Sequence, residues 1–226
     1  MLRTFTFLAA GAAVLATGLW AQEDTPDHRL RSAADVFHEV MAAPDKGIPR
    51  DLLEKAQCVI IVPGLKKAAF IVGGDYGKGY AVCRHDGGWT GPAAITLGGG
   101  SFGFQIGAES TDIIMLVMSH HGMEDLARDK FSIGADASAA AGPVGRTTNA
   151  ATDASLHAEI LSWSRAHGAF AGVSLNGTVV KKDGGENRKL YGMEVSNRAI
   201  LHGQVPPPAV AGVLTSELDR FPKARS

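Results

Sequence analysis

A glycine-rich run, "TLGGGSFGFQIG" at residues 96–107, carries the residue types and spacing of two catalytic motifs. The pattern Gly-x-Gly-x-x-Gly that starts at Gly98 fits the dinucleotide-binding fingerprint, in which a glycine turn leads from a strand into a helix that holds a pyrophosphate. The overlapping pattern Gly-x-Ser-x-Gly fits the nucleophile elbow of α/β-hydrolases, with Ser101 as the nucleophile.

Both motifs need a helix directly after the glycine turn. The segment "SFGFQIG" instead alternates apolar residues with a period of two and contains two glycines, which favours a strand over a helix. We therefore predict that the protein is not an enzyme and uses no cofactor. A serine hydrolase using Ser101 is kept as an alternative.

The segment "SHHGMED" brings four metal-ligating residue types together: His120, His121, Glu124 and Asp125. On a helix His120 and Glu124 would share one face, and a divalent metal accepts such ligands. No third ligand follows at a recognisable spacing, and a turn that enters a short helix explains the same residues. We predict no metal site here.

Basic residues recur at predicted turns and strand ends that border apolar, glycine-rich strands. Such residues around an apolar surface suit an anionic lipid headgroup, and the amphipathic segment 30–41 could add an apolar face. The alternative is that they are solvated loop side chains and that segment 30–41 faces the core. The basic residues are Lys66, Lys67, Lys78, Arg84, Arg146, Lys181 and Lys182.

The two cysteines, Cys58 and Cys83, both lie in apolar runs. In an oxidising compartment such a pair can form a disulfide, which would close a loop of about 25 residues and stabilise the fold by roughly 3 kcal/mol. The alternative is two buried free thiols, because a sequence does not show whether two Cβ atoms meet.

The bulk composition is that of a globular protein, with 226 residues, a formal net charge of −1 and an unusually large number of glycines, 28. The near-zero charge argues against nucleic acid as a partner. The glycines are spread through apolar runs, which indicates tight turns or strands that approach each other closely.

The N-terminus has the features of an export signal. The basic "MLR" precedes the apolar "TFTFLAAGAAVLATGL", which is short for a membrane span, and Ala21 offers a small residue for cleavage. We predict a signal peptide over residues 1–21, a flexible N-terminus over 22–29, and a periplasmic or secreted protein that can lie peripheral to a membrane. The alternative is an uncleaved N-terminal anchor.

The order of predicted elements indicates the fold class. Two helical patterns, over 30–41 and in "PRDLLEKA", precede many short strands with hairpin signals at Asp86-Gly87 and Asn176-Gly177. Short helical segments follow near the C-terminus. This order differs from the strand–helix alternation of a doubly wound sheet. We predict an α+β fold, a single domain over 30–221 with a mostly antiparallel, glycine-rich β core flanked by N- and C-terminal helices.

Several longer strings resemble the SYLF domain family. "TLGGGSFGFQIGAESTD" and "GADASAAAGPVGR" are similar to its two hallmark stretches, and "IIVPGLKKAAFIVGGDYGKGYAV", "GGWTGPA" and "AEILSWSRAHGAFAGVSLNG" resemble its other blocks in the same order. The similarity runs from about residue 32 to 205. Several long motifs in order are far more specific than either short catalytic pattern.

The resemblance implies a non-catalytic domain that binds phosphoinositides and other anionic phospholipids. Eukaryotic relatives often carry an SH3 domain and act at actin-rich membrane sites. Because this chain resembles an exported bacterial type, we expect phospholipid or a membrane surface as the partner, and not actin. The lipid-binding residues that we predict are Lys66, Lys67, Lys78 and Arg146. A structural cell-envelope module that binds another protein is a further alternative, and the sequence leaves the oligomeric state open.

Overall fold

The computed structural model describes residues 25–43, 47–70, 72–102, 107–145, 157–166 and 168–222. The predicted signal peptide and the predicted lipid-binding residue Arg146 lie outside these ranges, so both stay predictions.

Helices stand at both ends of the described chain and strands fill its middle. The helices are α1 (Pro26–Ala42), α2 (Arg50–Lys55), α3 (His120–Leu126), α4 (Gly184–Tyr191), α5 (Asn197–Leu201) and α6 (Gly212–Leu218), with a 3-10 turn at Ala209–Ala211. The strands are β1 (Cys58–Phe70), β2 (Val72–His85), β3 (Gly88–Trp89), β4 (Ala93–Phe102), β5 (Gly107–Val117), β6 (Lys130–Ser132), β7 (Ala139–Ala141), β8 (Ile160–Ala166), β9 (Ala169–Gly172) and β10 (Val179–Lys182).

All ten strands belong to one sheet, whose main order is β6-β10-β4-β2-β1-β5-β8-β7, with β3 paired to β2 and β9 to β8. The pairs are antiparallel apart from β7 with β8. The α+β class and the mostly antiparallel core flanked by helices are therefore confirmed.

Strand β1 lies at the centre of the sheet and is apolar on both faces in its first half. Cys58, Ile60 and Val62 point into one core, while Val59 and Ile61 point into the other. The first core is closed by α3, α5 and the strands β6 and β10, and the second by α1, α2 and α6. A strand that is buried on both faces in this way loses the usual alternation of polar and apolar residues.

Helix α1 covers the second core with Leu30, Ala33, Phe37 and Val40, which recur at three- and four-residue spacing. It begins at Pro26, so the prediction of a flexible segment over 22–29 is wrong for 26–29. The Thr25 hydroxyl accepts from the His28 N–H, and a proline in the first turn suits a helix start.

The two predicted hairpin turns have different outcomes. Asp86 and Gly87 have positive φ angles of 46° and 83° and join the paired strands β2 and β3, as predicted. Asn176-Gly177 is also a turn, but the predicted hairpin is wrong there. The preceding strand β9 pairs with β8, while the following strand β10 lies between β4 and β6.

Close packing explains part of the high glycine content. A Cβ on Gly79 would lie 2.1 Å from the Ile61 carbonyl oxygen, and one on Gly142 would lie 2.0 Å from the Trp163 indole. Neither site has room for a side chain. The prediction that glycines mark close backbone approaches is confirmed at these positions.

Cys58 and Cys83 form a disulfide between residues that stand directly opposite each other on β1 and β2. Both side chains are fully buried in the first core. The sequence left open whether the two cysteines form a disulfide or remain free thiols, and the structure has the disulfide.

We predict that replacing both cysteines by alanine lowers the free energy of unfolding by about 3 kcal/mol, because the unfolded chain regains the conformations that the crosslink excludes. Urea denaturation with and without reductant measures this. Reductant should destabilise the parent and leave the double variant unchanged. The prediction would be contradicted if reductant left the urea midpoint of the parent unchanged although thiol titration showed that both cysteines were reduced.

Candidate functional site

A cleft of about 560 Å³ lies between α1 and the neighbouring strands β1, β2, β5 and β8. It includes two of the predicted lipid-binding residues, Lys66 and Lys78. Its polar lining also includes Tyr76, His28 and Ser32, together with four further charged residues: Arg29, Asp35, Asp112 and Arg165. We refer to it as the basic cleft.

The register of β1 and β2 places Lys66, Tyr76 and Lys78 on one face of the sheet. Lys66 stands directly opposite Tyr76, and Lys78 follows two residues after Tyr76 on the same strand. Further along that face Tyr80 is buried, and its hydroxyl donates to the Pro26 carbonyl at the start of α1. The side chains of Tyr80, Lys78 and Tyr76 therefore form a row that leads from a buried position under α1 to the exposed surface.

Lys66 and Tyr76 form the exposed mouth of the basic cleft. The Lys66 ammonium donates to the Ser110 hydroxyl at 3.0 Å, and among the described residues no carboxylate lies within ion-pair distance of it. Tyr76 is 54% exposed, which is unusual for a large aromatic residue. An ammonium with unused donors beside an exposed aromatic ring can bind an anion at an apolar boundary.

Lys78 is instead engaged within the protein. Its ammonium lies 2.8 Å from an Asp183 carboxylate oxygen, and Asp183 also caps α4 by accepting from the Glu186 N–H. The hydrogen bond to Asp183 raises the pKa of Lys78, against the opposing effect of burial. Lys78 thus fixes the wall of the cleft more than it offers charge to a ligand.

Arg29 forms a buried ion pair with Glu186, which connects α1 to α4. The Tyr80 hydroxyl also lies 3.0 Å from the same Glu186 carboxylate oxygen, so that its single proton is shared between this oxygen and the Pro26 carbonyl. Burial, followed by the nearby Glu186 charge, raises the pKa of Tyr80, so that this hydroxyl remains a donor at ordinary pH. Removing one partner of such a buried pair typically costs 3–5 kcal/mol, which marks this network as structural.

Arg165 connects α1 to the sheet from the other side of the cleft. Its Nε and Nη2 donate to one Asp112 carboxylate oxygen at 2.9 and 2.8 Å, and its Nη1 donates to Glu39 of α1. The other Asp112 oxygen accepts from the Gly64 N–H at 2.8 Å, where β1 bulges. The Arg165 guanidinium therefore holds two carboxylates on two elements.

The other two predicted lipid-binding residues do not add to the described lining of the cleft. Lys67 points to the opposite face of β1 from Lys66, and its register partners on the neighbouring strands are Asp75 and Glu109. The carboxylate of Asp75 makes this a poor position for an anion. Arg146 lies outside the described residues.

The motif around Ser101 lacks the backbone of a nucleophile elbow. Ser101 lies inside β4, opposite Gly73 of β2, and the next described element after β4 is another strand, β5. An elbow places its serine between a strand and a helix. The dinucleotide fingerprint fails on the same grounds, because the next described element after β4 is the strand β5 and not a helix.

Side chains of the segment 120–125, whose residue types could ligate a metal, form contacts with neighbouring residues. His121 Nδ1 lies 2.9 Å from Glu159 Oε1, and Glu124 pairs with Arg198 and His202. In the part of the chain that the structure describes, no three metal-ligating side chains are placed to hold an ion.

The sequence did not identify Tyr76, Arg29 or Arg165 as cleft residues. The period-two alternation of β2 could have placed Tyr76 beside Lys78. Arg29 and Arg165 reach the cleft only through the packing of α1 and β8, which no short pattern indicates.

The chain is similar in sequence to several known proteins. The profile of the Ysc84 family, described as "Las17-binding protein actin regulator", matches residues 98–221. The "SH3 domain-containing protein PJ696.02" of Schizosaccharomyces pombe is 39% identical over 171 residues, which cover 74% of this chain and 40% of that protein. The human "SH3 domain-containing YSC84-like protein 1" is 34% identical over 180 residues, 79% of this chain and 52% of that protein.

The chain belongs to the Ysc84 family, which confirms the resemblance to the SYLF domain family. The chain spans about half or less of the length of these relatives. The exported bacterial type is not tested by these comparisons and stays a prediction. Within the described residues, none of the helices combines the length and apolar character needed to cross a membrane.

We predict that Asp183→Asn lowers the free energy of unfolding at neutral pH by roughly 1 kcal/mol, because asparagine keeps the helix cap and loses the charge that faces Lys78. Burial opposes ionisation of Asp183, but hydrogen bonds from Lys78 and the Glu186 N–H outweigh it and lower its pKa. A carboxylate with a lowered pKa stabilises the fold above its unfolded value, about pH 4, and this contribution disappears as the pH falls through the folded pKa.

Urea denaturation between pH 7 and pH 2 measures the difference in the free energy of unfolding between Asp183→Asn and the parent. This difference should become smaller as the pH falls. Asp35→Asn, at an exposed position of α1, is the matched control for the loss of one carboxylate. A difference between Asp183→Asn and the parent that persists at pH 2 would contradict the ion-pair assignment.

Proposed function

We propose that this protein binds the headgroups of anionic phospholipids at a membrane surface through the basic cleft, and that it acts by binding and not by catalysis. The observation that carries the proposal is the exposed pair of Lys66 and Tyr76 at the mouth of the cleft. Tyrosine and lysine together are suited to the boundary between lipid headgroups and acyl chains, where the ring meets apolar atoms and the ammonium meets phosphate.

The pairing of charges inside the cleft supports this role. The cations Arg29, Lys78 and Arg165 each face a carboxylate, and the exposed Asp35 adds a negative charge on the wall formed by α1. Positive charge available to a ligand is therefore concentrated at Lys66, whose ammonium has no carboxylate partner among the described residues. A lipid would meet this ammonium at the rim before it meets the paired residues inside.

We further propose that the protein is exported. The buried disulfide between Cys58 and Cys83 supports this, because such bonds persist mainly in oxidising compartments. The predicted signal peptide over 1–21 agrees with it.

The printed names of the relatives refer to Las17, actin regulation and SH3 domains, and those words describe those proteins. For this chain we retain the prediction that actin is not a partner. When the purified protein is centrifuged with filamentous actin, we expect it to remain in the supernatant. Saturable pelleting with actin would contradict the prediction and would favour a protein-binding role.

We predict that Lys66→Glu weakens binding to anionic vesicles by about 30-fold, since each surface lysine contributes about 1 kcal/mol and the reversal also introduces repulsion. Co-sedimentation with phosphatidylglycerol vesicles, against phosphatidylcholine vesicles, measures this at low and physiological salt. The Tyr76→Ala variant should lose several-fold, with a weaker dependence on salt.

Lys55→Glu is the matched control, because Lys55 is an exposed lysine of α2 beside the opposite end of β1. It changes the net charge by the same amount away from the cleft and should bind like the parent. The proposal fails if the folded parent does not pellet with anionic vesicles, or if Lys66→Glu and Lys55→Glu bind equally.

A further inference from the structure

A second cavity of about 520 Å³ adjoins the basic cleft and has a different lining. Its apolar residues come from the end of α1, from the segment after β7 and from β9. They are Val40, Ala43, Val144, Ala169 and Phe170. Val144 is 38% exposed, so that apolar surface faces solvent here. We refer to this cavity as the apolar groove.

Arg165 lines both cavities. Helix α1 also runs along both, since Val36 lines the basic cleft and Val40, one turn further, lines the groove. The two cavities therefore meet at Arg165, with most of the charged lining on one side and most of the apolar lining on the other.

The contact between Arg165 and Glu39 lies at this junction. Glu39 is 59% exposed, and an exposed ion pair contributes little to stability. A guanidinium binds phosphate through two parallel N–H donors at least as well as it binds a carboxylate. A phosphate that arrives at the junction can replace Glu39 on Arg165 while Asp112 remains in place.

We propose that the apolar groove holds one acyl chain of the same phospholipid whose phosphate lies in the basic cleft, with Arg165 bound to that phosphate. This inference rests on the proposed function and extends it from a membrane surface to a single bound lipid. The protein would then hold a lipid molecule partly withdrawn from the bilayer.

The chemistry of the groove favours an acyl chain over a peptide. A peptide brings backbone N–H and C=O groups, each of which needs a partner when buried. The described groove offers mainly hydrocarbon side chains, with its charged groups collected at the Arg165 end. A chain of methylenes with one anionic end matches this distribution, and the volume lies within the usual range of ligand pockets.

The test is a series of single-chain lipids measured by calorimetry. Glycerol 3-phosphate and lysophosphatidylglycerols with hexanoyl, octanoyl and decanoyl chains are titrated into the protein below their micelle concentrations. We expect the affinity to rise by about fourfold for each added methylene that leaves water. The Ala169→Trp variant places an indole in the groove and should abolish this dependence.

Ala171→Trp is the matched control, because Ala171 is exposed two residues further along β9 and is not part of the described groove lining. It should keep the chain-length dependence of the parent. Circular dichroism and thermal melting establish that both variants fold. If Ala169→Trp does not fold, the chain-length series of the parent alone decides the outcome.

A second variant tests the role of Arg165. Glu39→Gln removes the carboxylate that competes for the guanidinium and should tighten the binding of every lysolipid several-fold. Unchanged affinity would overturn the assignment of the phosphate to Arg165.

The outcomes separate this inference from the proposed function. Vesicle binding that depends on Lys66, together with affinities that do not change with chain length, would overturn the groove and leave headgroup binding intact. The same result follows if Ala169→Trp and Ala171→Trp behave alike. Failure of the folded parent to bind vesicles, glycerol 3-phosphate and every lysolipid would overturn both.

Discussion

The burial of β1 on both faces is the constraint on which the rest of this structure depends. Val59 and Ile61 need cover on one side, and Ile60 and Val62 need it on the other. One side is covered by helices and the other by the outer strands and short helices. After Val62 the strand bulges, and its register shifts against both neighbours. Beyond the bulge β1 carries lysines, so the same strand is a core element at one end and a surface at the other.

Polar contacts between distant residues hold α1 over this core. Arg29 connects its first turns to α4, and Glu39 connects its later turns to β8 through Arg165. Both contacts join elements far apart in sequence, and the buried pair of Arg29 with Glu186 contributes most to the position of the helix, because breaking such a pair is costly. A helix held by apolar packing alone could slide along the sheet with little change in buried area, whereas paired charges have one geometry.

Local sequence patterns predicted the elements better than they predicted the site. Asp86-Gly87 specifies its hairpin because both residues must adopt positive φ, and the spacing of Leu30, Phe37 and Val40 specifies α1 by itself. Asn176-Gly177 has the same turn chemistry, but the strand after it has a better partner in β4. Turn residues indicate that the chain reverses direction, whereas pairing between distant segments determines which strands become neighbours.

The residues of the candidate site also depend on long-range pairing that local sequence does not indicate. Lys66 and Lys67 are equivalent as neighbouring lysines in a sequence, yet Lys66 lies in the cleft and Lys67 points to the opposite face, where Asp75 is its register partner on β2. Which of the two is available depends on the bulge in β1, which lies at Pro63-Gly64, where Gly64 has a positive φ of 58°. Arg165 is separated from Asp112 by 53 positions, and only the pairing of β5 with β8 brings them together.

The crosslink between Cys58 and Cys83 has a consequence for the opposite end of the β1–β2 hairpin. A slip of one residue between the two strands would turn every side chain of one strand to the other face of the sheet. Tyr76 would then leave the face that carries Lys66. Glycine-rich strands such as β2 specify their register weakly, because a residue without a side chain looks the same in either alignment. A covalent bond between opposite residues removes that ambiguity as far as the bulge in β1, and the fixed shift at the bulge then brings Lys66 opposite Tyr76.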